Sequence, residues 1–131
     1  MDQQQINAIC DAGHMIFCFD LDGTITKDEC PNDLIDIHPN WPIIDRIKAL
    51  YKNGDTIIIY TARSKFRAPV TEQWLKRYRV PYHEIHYGKP KAHIYIDDST
   101  VDINDYVVNP TYFEEKFRKI GNDTNKRWRN K

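Results

Sequence analysis

The sequence predicts an α/β fold, a single Rossmann-like domain whose mostly parallel central sheet is flanked by helices. Three observations predict it. Short runs that are apolar on both faces recur at strand length, as in strands buried between helices. Segments of helical periodicity separate these runs, so strand and helix alternate along the chain. The polar residues Asp20, Asp22, Thr61, Asp97 and Asp98 all fall where apolar runs end, and sheets of this kind bind ligands at the carboxyl ends of their strands.

Each element has its own warrant. Met15–Phe19 is a continuous apolar run that stops at Asp20. Ile43, Ile44, Ile47 and Leu50 form one helical face between Pro42 and Gly54. Thr56–Tyr60 is the second strand, ending at Thr61. Val70, Trp74, Leu75 and Tyr78 mark a second helix between Pro69 and Pro81. Glu84–Tyr87 is a weaker third strand, and His93–Ile96 reads as a fourth, ending at Asp97-Asp98. Tyr106–Val108 reads as a short fifth. Tyr112, Phe113, Phe117 and Ile120 start a C-terminal helix that Gly121 ends. No repeat or low-complexity segment interrupts the pattern. The domain is expected to span residues 1–131, with its core at about 15–120 and a basic tail at about 121–131.

Composition narrows the partners. The 131 residues suit one domain able to bury a core without metal or disulfide staples. Nineteen basic and 19 acidic residues cancel, so bulk charge points to neither nucleic acid nor membrane. The stretch from Lys116 to Lys131 departs from that balance, with seven basic residues against Asp123 alone. It is read as a solvated helix face or tail, or else as a grip on a phosphate-rich polymer. Cys10, Cys18 and Cys30 are odd in number and lack a C-x-x-C pair, which argues against a disulfide framework or zinc site. No apolar run reaches the ~20 residues of a membrane span, and the N-terminus lacks the regions of a signal peptide. A cytoplasmic location is the expectation.

Asp20-Leu-Asp-Gly-Thr24 carries the chemistry. Two carboxylates two residues apart point to the same side as the strand runs out. Gly23 permits a tight turn, and Thr24 and Thr26 bring hydroxyls nearby. Carboxylates so placed repel unless a cation or proton lies between them. A hard divalent cation with oxygen ligands, Mg²⁺, answers that need. One carboxylate is then a nucleophile and the other a proton shuttle.

This string resembles the first motif of the haloacid dehalogenase superfamily of phosphatases. Ile57–Thr61 is similar to its second motif, Lys89 or Lys91 to the third, and Ile94–Asp98 with Asp102 to the fourth. The resemblance spans about residues 15–108. It implies that Asp20 attacks phosphorus to form an aspartyl-phosphate, and that Asp22 protonates the leaving oxygen and then activates water. Thr61 and the lysine hold the phosphoryl group, with Lys89, in Gly88-Lys-Pro90, preferred over Lys91. Asp20, the backbone carbonyl of Asp22, and Asp98 ligate Mg²⁺. Asp97 assists the metal or bonds nearby backbone, and Asp102 orients the site or caps a turn. Thr24 and Arg63 are candidate substrate contacts, because a guanidinium grips phosphate or carboxylate in a bidentate way. His14, His38, His83, His86 and His93 share no metal-ligand spacing and are read as structural or surface residues, and Trp41, Trp74 and Trp128 as core or cover.

The intervals 25–56 and 63–89, where relatives insert a cap domain, are already filled by expected elements, so the chain is expected to be capless. Lys27–Asn40 is a possible rim flap. Residues 60–90 resemble small capless phosphatases of capsule and surface-polysaccharide biosynthesis, and more distantly polynucleotide 3′-phosphatase domains. The resemblance implies hydrolysis of a sugar phosphate or related small metabolite. The alternatives are action on a nucleic-acid or nucleotide 3′-phosphate, aided by the basic C-terminal segment, and a catalytically inactive phosphate-binding module. Assembly into a homo-oligomer is compatible with an uncapped site.

Overall fold

The computed structural model describes residues 1–27, 37–90, 92–95, 97, 99–116 and 118. Three parallel strands form its sheet in the order β1 (Ile16–Asp20), β2 (Thr56–Thr61), β3 (Glu84–Tyr87). Register pairs Asp20 with Tyr60 and Thr61 with Tyr87, so the strands finish level at one edge. Parallel pairing requires a crossover, and each crossover carries a helix. α2 (Trp41–Lys52) links β1 to β2, and α3 (Ala68–Arg77) links β2 to β3. Both helices begin on a proline within the first two positions, where the missing N–H is no loss. The result is a Rossmann-like α/β unit, as the alternation predicts.

The core is the meeting of these elements. Ile43, Ile44, Ile47 and Leu50 of α2, Ile57 and Ile59 of β2, and Trp74 and Leu75 of α3 are buried together with Leu21 and Ile25. Each large aliphatic side chain removed from water stabilises the fold by about 1.5–3 kcal/mol before chain entropy is counted. His83, read as a structural or surface residue, is structural: its Nδ1 accepts the Ile57 N–H at 3.0 Å, and its ring stacks on Tyr51.

The amino end of the sheet is closed by a buried carboxylate. Asp55, on the turn before β2, accepts from the Met15 N–H at 2.9 Å, from Asn53 Nδ2 at 3.1 Å, and from both terminal nitrogens of Arg118 at 3.1 and 2.6 Å. His14 Nδ1 lies 3.7 Å from it. Burial alone would raise this carboxyl's pKa, but the Arg118 fork and the other donors hold it below the usual carboxylate range.

Three features differ from expectation. First, the described residues of 93–97 form no strand, and Ile94 is 76% exposed. Tyr95 donates to the Pro90 carbonyl and lies against the Lys89 ammonium, which turns this segment back beside the sheet edge. Second, Tyr106–Val108 is the end of helix α4 (Ile103–Val108), not a strand. Asp102 caps the helix through the Asn104 N–H, and Ile103 and Tyr106 share a face packed on the core, while Val108 stays exposed. A three-residue apolar run does not by itself separate strand from helix. Third, α1 (Gln3–Asp11) stands where no element is expected. It buries no residue and begins with a capping box in which Asp2 and Gln5 bond reciprocally.

The C-terminal helix is present over residues 110–116. Its Glu114 receives a two-pronged bond from Arg46 of α2 and the hydroxyl of Tyr106 at 2.8 Å. The expected end of that helix at Gly121, the basic residues beyond Arg118, Trp128 and most of the possible rim flap lie outside the described residues. Among the described residues, no helix is long and apolar enough to cross a membrane.

Candidate active site

β1 ends at Asp20 and the chain leaves it through a wide turn, Leu21–Ile25. Leu21 and Ile25 are fully buried and anchor the turn to the core. Gly23 has φ of 79°, a conformation that side chains disfavour, which fixes glycine between the two halves of the motif. The Gly23 N–H donates to Thr26 Oγ1 at 3.1 Å, and Thr26 N–H to the Leu21 carbonyl at 3.0 Å. Asn40 closes the far side: its Nδ2 donates to the Thr24 carbonyl at 3.0 Å and its N–H to the Ile25 carbonyl at 2.8 Å. Thr24 therefore joins the site through its backbone. Thr26 and Pro39 form an antiparallel bridge, which ties together the two ends of the 27–38 excursion.

The second wall comes from β2. Thr61 is fully buried at its end, and its Oγ1 accepts the Arg63 N–H at 3.1 Å. That bond turns the chain so that Arg63 points back under the Asp22 side chain. The Arg63 guanidinium, 6% exposed, holds Asp22 with two nitrogens, Nε at 2.8 Å from Oδ2 and the second nitrogen on Oδ1. Its remaining terminal nitrogen reaches Thr71 Oγ1 of α3 at 3.4 Å. The bidentate grip expected of Arg63 is thus made to a carboxylate of its own chain.

The third wall is Gly88-Lys89-Pro90, directly after β3. Gly88 has φ of 83°. The Gly88 N–H donates to the Arg63 carbonyl at 3.0 Å and the Lys89 N–H to the Thr61 carbonyl at 2.9 Å, which continues the β2–β3 pairing past the strands. Lys89 Nζ comes to 3.9 Å from Asp20 Oδ1. The ammonium also lies 4.1 Å from the Tyr95 ring centroid and 5.6 Å from that of Tyr60, which limits where it moves. Tyr87 braces the wall: its hydroxyl donates to Glu72 of α3 at 3.2 Å. Burial, reinforced by the Glu72 charge, pushes its pKa up to about 12.

The structure therefore brings Asp20, Asp22, Thr61, Arg63 and Lys89 to one edge. Asp97 accepts the Ser99 N–H, and Asp102 caps α4, so the carboxylates of both are engaged with nearby backbone. Lys91 and Asp98 lie outside the described residues. Thr26 joins the site with its hydroxyl, as its place in the motif suggests, and Asn40, Tyr60 and Tyr95 join it without having been singled out as contacts. Asn40 and the tyrosines carry no local signal, since they become neighbours only through the fold.

Two carboxylates and two cations make the site neutral before a ligand arrives. A dianionic phosphoryl group approaching the half-exposed Asp20 meets that carboxylate's charge, which a hard divalent cation on oxygen ligands neutralises. The donor chemistry of Asp20 and the Asp22 carbonyl fits such an ion. Among the described residues, no cluster of three or more metal-ligating side chains forms, and the third expected ligand, Asp98, is not among them.

No family model and no curated protein matches the chain. Two solved structures are similar to the chain. A structural-genomics target from Vibrio cholerae, 23% identical, aligns over 82% of this chain and 98% of its own, with a TM-score of 0.66. A chain of the Pnkp1/Rnl/Hen1 complex, 20% identical, aligns over 75% of this chain with a TM-score of 0.49, and this chain spans about a third of its length (34%). At 23% identity the likeness to the first is one of fold.

Proposed function

We propose that this chain is a phosphomonoester hydrolase that works through an aspartyl-phosphate on Asp20. The observation that supports it most is the placement of Lys89 Nζ 3.9 Å from Asp20 Oδ1, with Asp22 held two residues away in the Arg63 fork. An exposed carboxylate oxygen facing a lysine at the end of a parallel strand is a nucleophile with a cation ready for the group it attacks.

The residues divide the work. Asp20 Oδ attacks phosphorus, and the bond to the ester oxygen breaks. Asp22 gives that oxygen its proton as it leaves, then takes a proton from the water that attacks the acyl phosphate, which frees inorganic phosphate and restores Asp20. To donate, Asp22 must first release one oxygen from the Arg63 fork and take up a proton from solvent there, so Arg63 sets the position from which the proton moves. Lys89 and Thr61 hold the phosphoryl oxygens. Asp20, the Asp22 carbonyl and Asp98 are the residues that would hold Mg²⁺, which would supply charge neutralisation there. Catalysis of this kind is mostly positioning and electrostatics.

These residues touch only the phosphoryl group and do not read what it is esterified to. A sugar phosphate or related metabolite and a nucleotidyl 3′-phosphate are the two substrate classes proposed. The test is phosphate release from sugar phosphates, nucleotides and 3′-phosphorylated oligonucleotides, with Mg²⁺ or EDTA, beside Asp20→Asn. Release that requires both metal and Asp20 supports the mechanism. Release unaffected by Asp20→Asn refutes the nucleophile, and binding without any turnover points to the inactive phosphate-binding module.

A further inference from the structure

Directly after the Arg63 wall, the tight turn Lys65–Arg67 presents Phe66 with 97% of its surface in solvent. The turn is held in one shape. The Arg67 N–H donates to the Ser64 carbonyl at 3.0 Å, the Ala68 N–H to the Lys65 carbonyl, and Pro69 then starts α3. Phe66 is three residues from Arg63, within about 10 Å of chain. It stands between two cations, Lys65 exposed and Arg67 half-buried. At the third wall of the site, Lys89 lies against the Tyr95 ring, which is 47% exposed.

Phe66 thus stands beside two cations, Lys65 and Arg67, that lie outside the Asp20–Lys89 and Asp22–Arg63 pairs. Planar rings stack on aromatic faces, and cations beside them take phosphate. A bare monophosphate needs neither. We infer that Phe66, flanked by Lys65 and Arg67, is a stacking subsite for the nucleobase of a phosphorylated nucleotide or oligonucleotide end whose terminal phosphate enters the Asp20 site. This rests on the phosphatase reading and sharpens it to the nucleotidyl class. A free nucleotide and an oligonucleotide end share the base and terminal phosphate. They differ in the further phosphates that Lys65 and Arg67 meet.

The experiment measures binding by the intact chain in the non-hydrolysing Asp20→Asn background and kcat/KM in the wild-type background. Its ligands are a 3′-phosphorylated oligonucleotide, a nucleoside 3′-monophosphate and a base-free sugar phosphate. Phe66→Ala is expected to weaken oligonucleotide and nucleotide binding on the order of 5- to 10-fold, with the sugar phosphate unchanged. Phe66→Trp restores it. Lys65→Ala with Arg67→Ala lowers the slope of log Kd against log salt by roughly 0.7 for each phosphate no longer neutralised, for the oligonucleotide only if that is the source. Equal losses on the sugar phosphate, no loss on either nucleotide, or a dimer that Phe66→Ala turns into monomer each overturn the subsite. Phe66-dependent binding without turnover of any ester upholds the subsite and refutes only the phosphatase reading.

Discussion

The two ends of the sheet each hold an aspartate in the fork of an arginine, and they differ in what is left over. At the amino end, Asp55 is fully buried and accepts from Met15, Asn53 and Arg118, so its oxygens are committed to protein donors. At the carboxyl end, Arg63 is the buried partner, and Asp22 keeps part of its carboxylate at the surface beside Asp20. The same pair is a staple at one end and, in the proposed mechanism, a positioning device at the other. Burial of the carboxylate, not the type of pair, separates the two. A carboxylate saturated with donors stabilises the native state, while one left partly in solvent is able to exchange protons.

Substitutions test this contrast directly. The largest effect is expected from Asp20→Asn, which should lower kcat by at least about 10³-fold by removing the nucleophile, with stability within about 0.5 kcal/mol of wild type. Steady-state phosphate release and a thermal melt read the two quantities. Arg63→Lys keeps the charge but not the fork, so kcat should fall about 10²-fold if Asp22 needs that placement to move its proton. An unchanged kcat in this variant removes Arg63 from the mechanism.

Asp55→Ala should do the opposite. It is expected to destabilise by about 2 kcal/mol, because Arg118 and the Met15 N–H lose their acceptor, while kcat per folded molecule stays level. The pH dependence has a definite sign. The Asp55 pKa is depressed in the folded state, so its stabilisation is fully present above the unfolded carboxylate value of about 3.9 and is lost as pH falls below it. Melting temperatures followed downward from about pH 5 should therefore drop more steeply in wild type than in Asp55→Ala. The smallest effect is expected from Tyr106→Phe. Loss of its bond to Glu114 should cost about 1 kcal/mol in denaturant melts and leave turnover alone.

Much of this was legible in the chain. The three sheet strands, both crossover helices and the gathering of Asp20, Asp22, Thr61, Arg63 and Lys89 at strand ends follow from local apolar runs and their spacing. α1 was legible too, since Asp2 and Gln5 carry a capping-box pattern, but its apolar residues are few (Ile6, Ala8, Ile9 and Cys10) and none of them is buried. The 93–97 segment and α4 were misread because short apolar runs are ambiguous until packing decides them. His93–Ile96 has a strand's composition, yet Tyr95 is drawn to Lys89 and Pro90. Tyr106 has a strand former's side chain, yet it serves Glu114 from a helix. Arg118 looked like part of a free basic run, and tertiary contact commits it to Asp55.

By itself the sequence determined the α/β class, the level at which the strands stop, and the chemical kinds of side chain at that level, because periodicity and strand ends are local properties of the chain. The tertiary structure decided which carboxylate meets which cation. Arg63 could face solvent, substrate or Asp22, which is 41 positions away. Arg118 could trail in water or reach Asp55, 63 positions away. Local pattern carries no information about pairings at that separation. They are set by where the packed helices and the sheet register bring the backbone.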